Sequence, residues 1–314
     1  MTANVTATAI SDRPAHSPAD RLDGVERPTR RDEAWRYAPH DLLGRLTFGP
    51  PPASGERSLT AIADRIPSLD GPRIVIVNGV VDSEQSDIAA LPDGLRVAGL
   101  AADSAGPTGL VAAHFNADSG FAADAFVRIN KTFGIGGAFI EVADGHRLAD
   151  PIHLVDLVVP DETRNTPCRG AIIHIGQGSS ATIVETRTGS GTAFGGLNTR
   201  TSITLEANAN LDHVLLQDMP ATQVHLSRVE VTQRAGSTLR ARSFNLGAVY
   251  GRVAYDVHLT GVGAHADLSG LYFGSGAQTL DQQITVVHAA RDCTSRQSYR
   301  GVLDDQSTGV FNGG

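Results

Sequence analysis

The sequence predicts a mainly β protein: a right-handed parallel β-helix (solenoid) preceded by a small mixed helical and strand region. Three observations predict it. Glycine supplies 34 of the 314 residues and charged residues only 19%, below the usual ~25%, a combination that suits many short strands joined by many turns. Helix signals stop near residue 138, and one apolar-alternating segment then follows another. Turn residues in that second part recur at a nearly constant interval, as in a stacked repeat.

The elements follow in chain order. Residues 1–28, with Pro14, Pro18 and Pro28 and no apolar period, read as a flexible leader. Residues 29–137 read as a mixed α/β region. Thr29 can cap a short helix through Asp32, with Glu33, Trp35, Arg36 and Tyr37 continuing it and Pro39 ending it. A break follows at Gly49 and the three prolines after it. Residues 73–81 read as two short strands around the Asn78-Gly79 turn, and Leu91-Pro92-Asp93-Gly94 turns into a strand at Leu95 to Val97. Ala122 to Phe133 is helical in character, with Phe126, Ile129 and Phe133 on one face and glycines closing it.

Residues 138–314 read as the β-helix core. Strands are expected at 138–142, 152–159, 171–175, 181–185, 202–205, 211–216, 227–231, 239–243, 253–259, 266–271 and 283–288. The turn position before every second strand falls at Gly178, Asn208, Gly236, Gly263 and Arg291, in steps of 30, 28, 27 and 28. An all-β repeat of that length is too short for a propeller blade of ~40 residues and fits the rung of a β-helix.

Composition excludes several functions. The net charge is −8, and Arg30-Arg31 is the longest basic run, so a nucleic-acid-binding face is not expected. Lys131 is the single lysine, which removes the coiled-coil and bundle reading. No apolar run approaches the ~20 residues of a membrane span, no targeting segment is visible, and two cysteines do not make a disulfide framework. The chain reads as cytoplasmic.

Several stretches resemble one family. They are Arg30-Arg31-Asp32-Glu33-Ala34-Trp35-Arg36-Tyr37, Val75-Ile76-Val77-Asn78-Gly79, Ala125-Phe126-Val127-Arg128-Ile129-Asn130 and Pro151-Ile152-His153-Leu154. The C-terminal run adds Val287-His288-Ala289-Ala290, Tyr299-Arg300-Gly301-Val302-Leu303 and Gly309-Val310-Phe311-Asn312-Gly313. Their order and spacing resemble the SufB/SufD iron–sulfur cluster assembly proteins, SufD branch, from residue 29 to the end. The resemblance implies a non-catalytic scaffold subunit of the SUF complex that pairs with SufB-like and SufC-like subunits. A transient iron–sulfur cluster would belong to the complex and ATP to the SufC partner alone. Similar proteins continue past this point, so the resemblance implies a β-helix lacking its C-terminal part. The chain stops about five residues before the next expected turn, near 319. An uncapped rung predicts aggregation or self-pairing through the open β-helix end. A β-helical polysaccharide lyase or hydrolase, or a structural β-solenoid, is the alternative.

No catalytic, cofactor-binding or metal-ligating residue is assigned. Relative to the turn positions, His174, His213, His258, His265 and His288 fall at five different offsets, so no histidine ladder is expected, and no Cys-x-x-Cys or His-x-x-x-His occurs. Cys168, ahead of a strand, and Cys293, in a turn, could supply thiolates for iron or sulfur, although a free cysteine is more often small packing. The glycine clusters never complete a nucleotide-binding fingerprint, and Lys131 follows no glycine loop. No Gly-x-Ser-x-Gly elbow is present. Asp304-Asp305 could converge only in a turn, because neighbours in a strand point to opposite faces.

Overall fold

The computed structural model describes residues 25–49, 64–100, 124–134, 136–159 and 166–314. Most of the expected leader and residues 50–52 of the proline break lie outside them. Within the described residues the chain forms two helices, α1 (His40–Gly44) and α2 (Ala125–Phe133), and sixteen strands. The strands are β1 (Arg73–Val77), β2 (Val80–Asp87), β3 (Leu95–Gly99), β4 (Gly137–Val142), β5 (Ile152–Val158), β6 (Cys168–Ile175), β7 (Ser180–Gly189) and β8 (Gly195–Leu205). They continue with β9 (Asn210–Asp218), β10 (Gln223–Gln233), β11 (Thr238–Asn245), β12 (Tyr250–Leu259), β13 (His265–Gly274), β14 (Thr279–His288), β15 (Thr294–Leu303) and β16 (Thr308–Gly313).

The topology is a β-solenoid. Odd strands pair in the order β15-β13-β11-β9-β7-β5-β1-β2 and even strands in the order β16-β14-β12-β10-β8-β6-β4-β3. From β4 onward each strand pairs in parallel with the strand two places along, so one turn of the solenoid is one odd and one even strand. The antiparallel pairs are β1 with β2 and β3 with β4, at the N-terminal end. The β1–β2 hairpin turns at Asn78 and Gly79, both with positive φ, which suits the twist of a two-residue hairpin loop.

The repeat is set by one backbone corner. Gly145, Gly178, Asn208, Gly236, Gly263 and Asp292 all have φ between 57° and 73°. Each lies under the next, since the Gly178 amide donates to Ala207, Asn208 to Ala235, Gly236 to Val262 and Gly263 to Arg291. Only glycine, asparagine and aspartate adopt this left-handed conformation at little strain. The last landmark is therefore Asp292, not Arg291, because from Gly178 onward the corner sits two residues before its odd strand. β15 and β16, which the hydropathy pattern left unassigned, add a further turn of the same kind.

The inward residues nearest this corner form the apolar core. Ile173, Ile183, Ile203, Leu211, Val229, Leu239, Val257 and Ala266 are each no more than 1% exposed. A second cluster lies outside the even sheet. Phe126, Ile129 and Phe133 of α2 join Trp35, Leu43 and Leu46 over Cys168, Val224, Leu226 and Tyr250. Asn130 fixes α2 by donating to the carbonyls of Arg169 (3.1 Å) and Asn198 (2.9 Å), and Asn198 donates back to the Phe126 carbonyl.

The N-terminal helix expectation needs one correction. Thr29 and Asp32 do interact, with the Thr29 amide donating to Asp32 at 2.7 Å. The helix they precede is only a 3₁₀ turn, Glu33–Trp35. Pro39 does not end a helix; it begins α1 as its N-cap, a place where its missing N–H is harmless.

Candidate functional site

The interior of the solenoid changes character along each strand. In β7 the inward series runs Ala181, Ile183, Glu185, Arg187; in β9 it runs Leu211, His213, Leu215, Gln217. The even strands reach the same depth in reverse, so Arg169 precedes Ala171 in β6, and His225 and Ser227 precede Val229 in β10. One half of the interior is therefore apolar and the other mostly polar, with Leu215 among its polar groups, and that half is closed. Asp156, Arg169, Glu185, Arg187, His213 and His225 are each at most 2% exposed.

These groups form one network across both sheets. Arg169 donates Nε to Asp156 Oδ1 at 2.8 Å, Nη2 to both Asp156 Oδ2 and Glu185 Oε2, and Nη1 to Thr201 at 2.9 Å. Arg187 donates to Glu185 Oε2 at 2.7 Å and to Ser227. His213 donates Nε2 to Glu185 Oε1 at 2.8 Å and accepts at Nδ1 from the Tyr255 hydroxyl at 3.0 Å. Two guanidiniums thus balance two carboxylates, the condition for keeping charges out of water. Burial alone would raise Glu185, but Arg187 and Arg169, with the His213 hydrogen bond, hold it well below the carboxylate range. Burial and the same two arginines push His225 well below the usual imidazole value, so it stays neutral; accordingly its Nε2 faces the Arg187 donor at 3.3 Å. Every charge here has a fixed partner, so the network ties neighbouring turns together.

A second charged set holds the helical cover to the outer face of the even sheet. Asp124 caps α2 through Oδ1, accepting from the Phe126 and Val127 amides. Its Oδ2 accepts from Arg228 at 3.3 Å, and Arg228 also reaches Asp256 at 2.5 Å. Burial, with Glu230 and Asp124 nearby, pushes Asp256 up to about 6 against the pull of Arg228. Arg252 donates to Asp281 (2.5 Å) and the Ala34 carbonyl (2.8 Å) while lying 3.9 Å over the Trp35 ring, a cation–π contact. The single tryptophan is therefore a buried anchor, not the platform of a sugar groove.

The residues weighed as thiolates are kept apart. Cys168 opens β6 beneath the helical cover, and burial pushes its thiol up, so it is not a thiolate. Cys293 lies in the corner before β15, with Sγ 3.3 Å from the Gly261 carbonyl. Both are free. Two histidines share a column after all: His174 and His258 are in register through Thr204 and Thr232. Rungs of unequal length had given them different offsets from the corner. Two threonines separate them, and His174 lies between Glu141 (3.6 Å) and Glu206 (3.4 Å). His213 and His265 lie on other odd-strand columns, and His288 follows the even-strand column of Leu259. Among the described residues no three His, Cys, Asp or Glu side chains are grouped to hold a metal ion. Asp304 and Asp305 do lie in a turn, where the Asp304 carboxylate accepts from the Asp305 amide. Lys131 is in the last turn of α2. Sequence reasoning missed the buried network; its signal was the period of two carrying polar residues at inward positions, Glu185 and Arg187 after Ile183 in β7 and His213 between Leu211 and Leu215 in β9.

Comparison with known proteins decides the family. Residues 57–154 match the SufBD protein N-terminal region, and residues 161–314 match the SufBD core domain of SUF system FeS cluster assembly. The chain belongs to the SufBD family. Similar SufBD proteins include an iron–sulfur cluster assembly SufBD family protein of Mycobacterium leprae, 28% identical over 90% of this chain and 61% of that protein. The iron–sulfur cluster assembly protein SufD of Escherichia coli is 25% identical over 91% of this chain and 65% of its own length. A Mycobacterium tuberculosis SufBD family protein is 26% identical over 90% of this chain and 60% of its own. The chain thus spans somewhat under two thirds of these relatives. Its place in the SufBD family ties it to iron–sulfur cluster assembly. No helix among the described residues is long and apolar enough to cross a membrane.

Proposed function

We propose that this SufBD chain is a scaffold subunit of a SUF-type complex, pairing with a SufB-like subunit and working with a SufC-like ATPase, and not an enzyme by itself. The observation that supports this reading best is the interior of the solenoid. Its arginines, carboxylates and His213 are joined to one another and closed to solvent, which suits rigidity across turns and leaves no poised acid, base or nucleophile there. A rigid rod of stacked strands presents surfaces at fixed spacing, as an assembly platform requires. The cluster is cargo of the complex in this reading, and ATP belongs to the partner.

Affinity purification of the tagged chain, co-expressed with SufB-like and SufC-like proteins, tests it. The SufB-like subunit is expected in stoichiometric yield, with the ATPase recovered through the assembled complex. Recovery of the tagged chain without either partner, together with cleavage of a polysaccharide, would overturn the scaffold reading.

A further inference from the structure

The outer face of the odd sheet carries a pattern that neither the fold nor the scaffold reading uses. Asp212, Arg240, Asp267 and Arg296 form one column, in register across β9, β11, β13 and β15. The charges alternate in sign at the ~4.8 Å spacing of neighbouring strands. Arg240 and Arg242 both lean on Asp212, at 3.4 and 3.1 Å, while Asp267 and Arg296 take part in no ion pair among the described residues. Four residues along the same strands, Leu216, Phe244 and Leu271 are in register on β9, β11 and β13, and Arg300 ends the row on β15. Beyond them Leu246 and Phe273 are 37% and 47% exposed, although apolar side chains grouped in the open usually mark an interaction site.

The order acid, base, acid, base reads as base, acid, base, acid when reversed. A two-fold axis lying in the face, along the strands and between β11 and β13, lays the column on its own reverse. Asp212 then meets Arg296 of the second molecule and Arg240 meets Asp267, each pair occurring twice, as an isologous interface requires. The same operation keeps strand position, so Phe244 meets Leu271 and Leu246 meets Phe273. We infer that this face is a docking surface for a second copy of the chain, with the charge column setting register and the apolar pairs supplying the burial. Four strands by about four outward positions bury roughly 900 Å² in total, below the standard interface size of ~1,600 Å². The dimer is accordingly weak and concentration-dependent, and its surface is distinct from either end of the solenoid.

Sedimentation velocity of the whole chain over a concentration series tests this. A monomer–dimer equilibrium is expected, weakened at least tenfold by Arg240→Asp or by Asp267→Arg alone. Combining the two is the decisive arm. Within one molecule the double variant places like charges side by side, but across the proposed axis every pair is again opposite, so association should return. Phe244→Ser should weaken association with the ladder intact. A chain that stays monomeric throughout the series overturns the proposal. So does self-association that the single reversals leave unchanged, which would assign pairing to another surface, and so does a double variant no better than the single ones. Circular dichroism of each variant confirms that β11 and β13 remain folded.

Discussion

Glu185 holds the interior charges together, because Arg169, Arg187 and His213 all bond to its two oxygens. Truncating it leaves two guanidiniums buried with too few partners. Glu185→Ala is therefore expected to lower unfolding free energy by about 3–5 kcal/mol in denaturant titration. Replacing Asp156, Arg169, Glu185 and Arg187 together by apolar residues of similar volume should recover much of that loss, since the penalty is the unpaired charge and not the missing contact. The titrating groups have opposite signs. His153, buried beside Arg73, is pushed down to about 4, and His225 lies well below its ordinary value. For both, the unfolded chain binds protons more readily, so stability is full above pH ~6.5 and falls as pH drops toward 4. Asp256, pushed up to about 6, does the reverse: its contribution is full below pH ~3.8 and is lost as pH rises through 6. Melting temperatures measured from pH 7 to pH 4.5 should separate them, with His153→Gln flattening the acid-side fall and Asp256→Asn steepening it.

The left-handed corner shows how a local rule becomes an element. Nothing lies near the position a Cβ would take at Gly263, yet φ there is +71°. Gly263→Asn should therefore be nearly neutral, because Asn208 already occupies the equivalent corner. Gly263→Val should cost about 1–2 kcal/mol or more, because a β-branched residue is poor at positive φ; thermal melting of the pair of variants distinguishes the two. At α2, Asp124→Ala removes both the cap and the Arg228 contact, with an expected loss of about 1–2 kcal/mol and faster amide exchange confined to that helix. These elements were legible in the sequence because each follows from nearest neighbours: the Asn78-Gly79 hairpin, the apolar face of Phe126, Ile129 and Phe133, and the turn period. The landmark at Arg291 failed by one residue because aspartate, like glycine, can hold the corner. The pairing of His174 with His258 was hidden because register passes through strands, while spacing along the chain also counts the corners. Arg169 with Glu185, and Trp35 under Arg252, were not legible at all, since they join segments that only folding brings together.

In a solenoid each turn touches only its neighbours, and stability is a sum of intrinsic and interface terms. Such a rod tends to unfold turn by turn. This one is tied differently, because its buried network takes Asp156 from β5, Arg169 from β6, Glu185 and Arg187 from β7, Thr201 from β8, His213 from β9, Ser227 from β10 and Tyr255 from β12. Opening any one of these turns leaves charges or polar groups unpaired in the others, so the middle of the rod should open as one unit. β15 and β16 contribute nothing to the network and are largely exposed, and they should open independently. Native-state hydrogen exchange is expected to give a shared opening free energy for amides of β6 through β10, with β15 and β16 exchanging at much lower free energy. Glu185→Ala should split the shared value into separate steps that differ from turn to turn. If the central amides instead keep a single opening free energy in that variant, cooperativity resides in the apolar half of the interior, and the ion pairs are passengers within it.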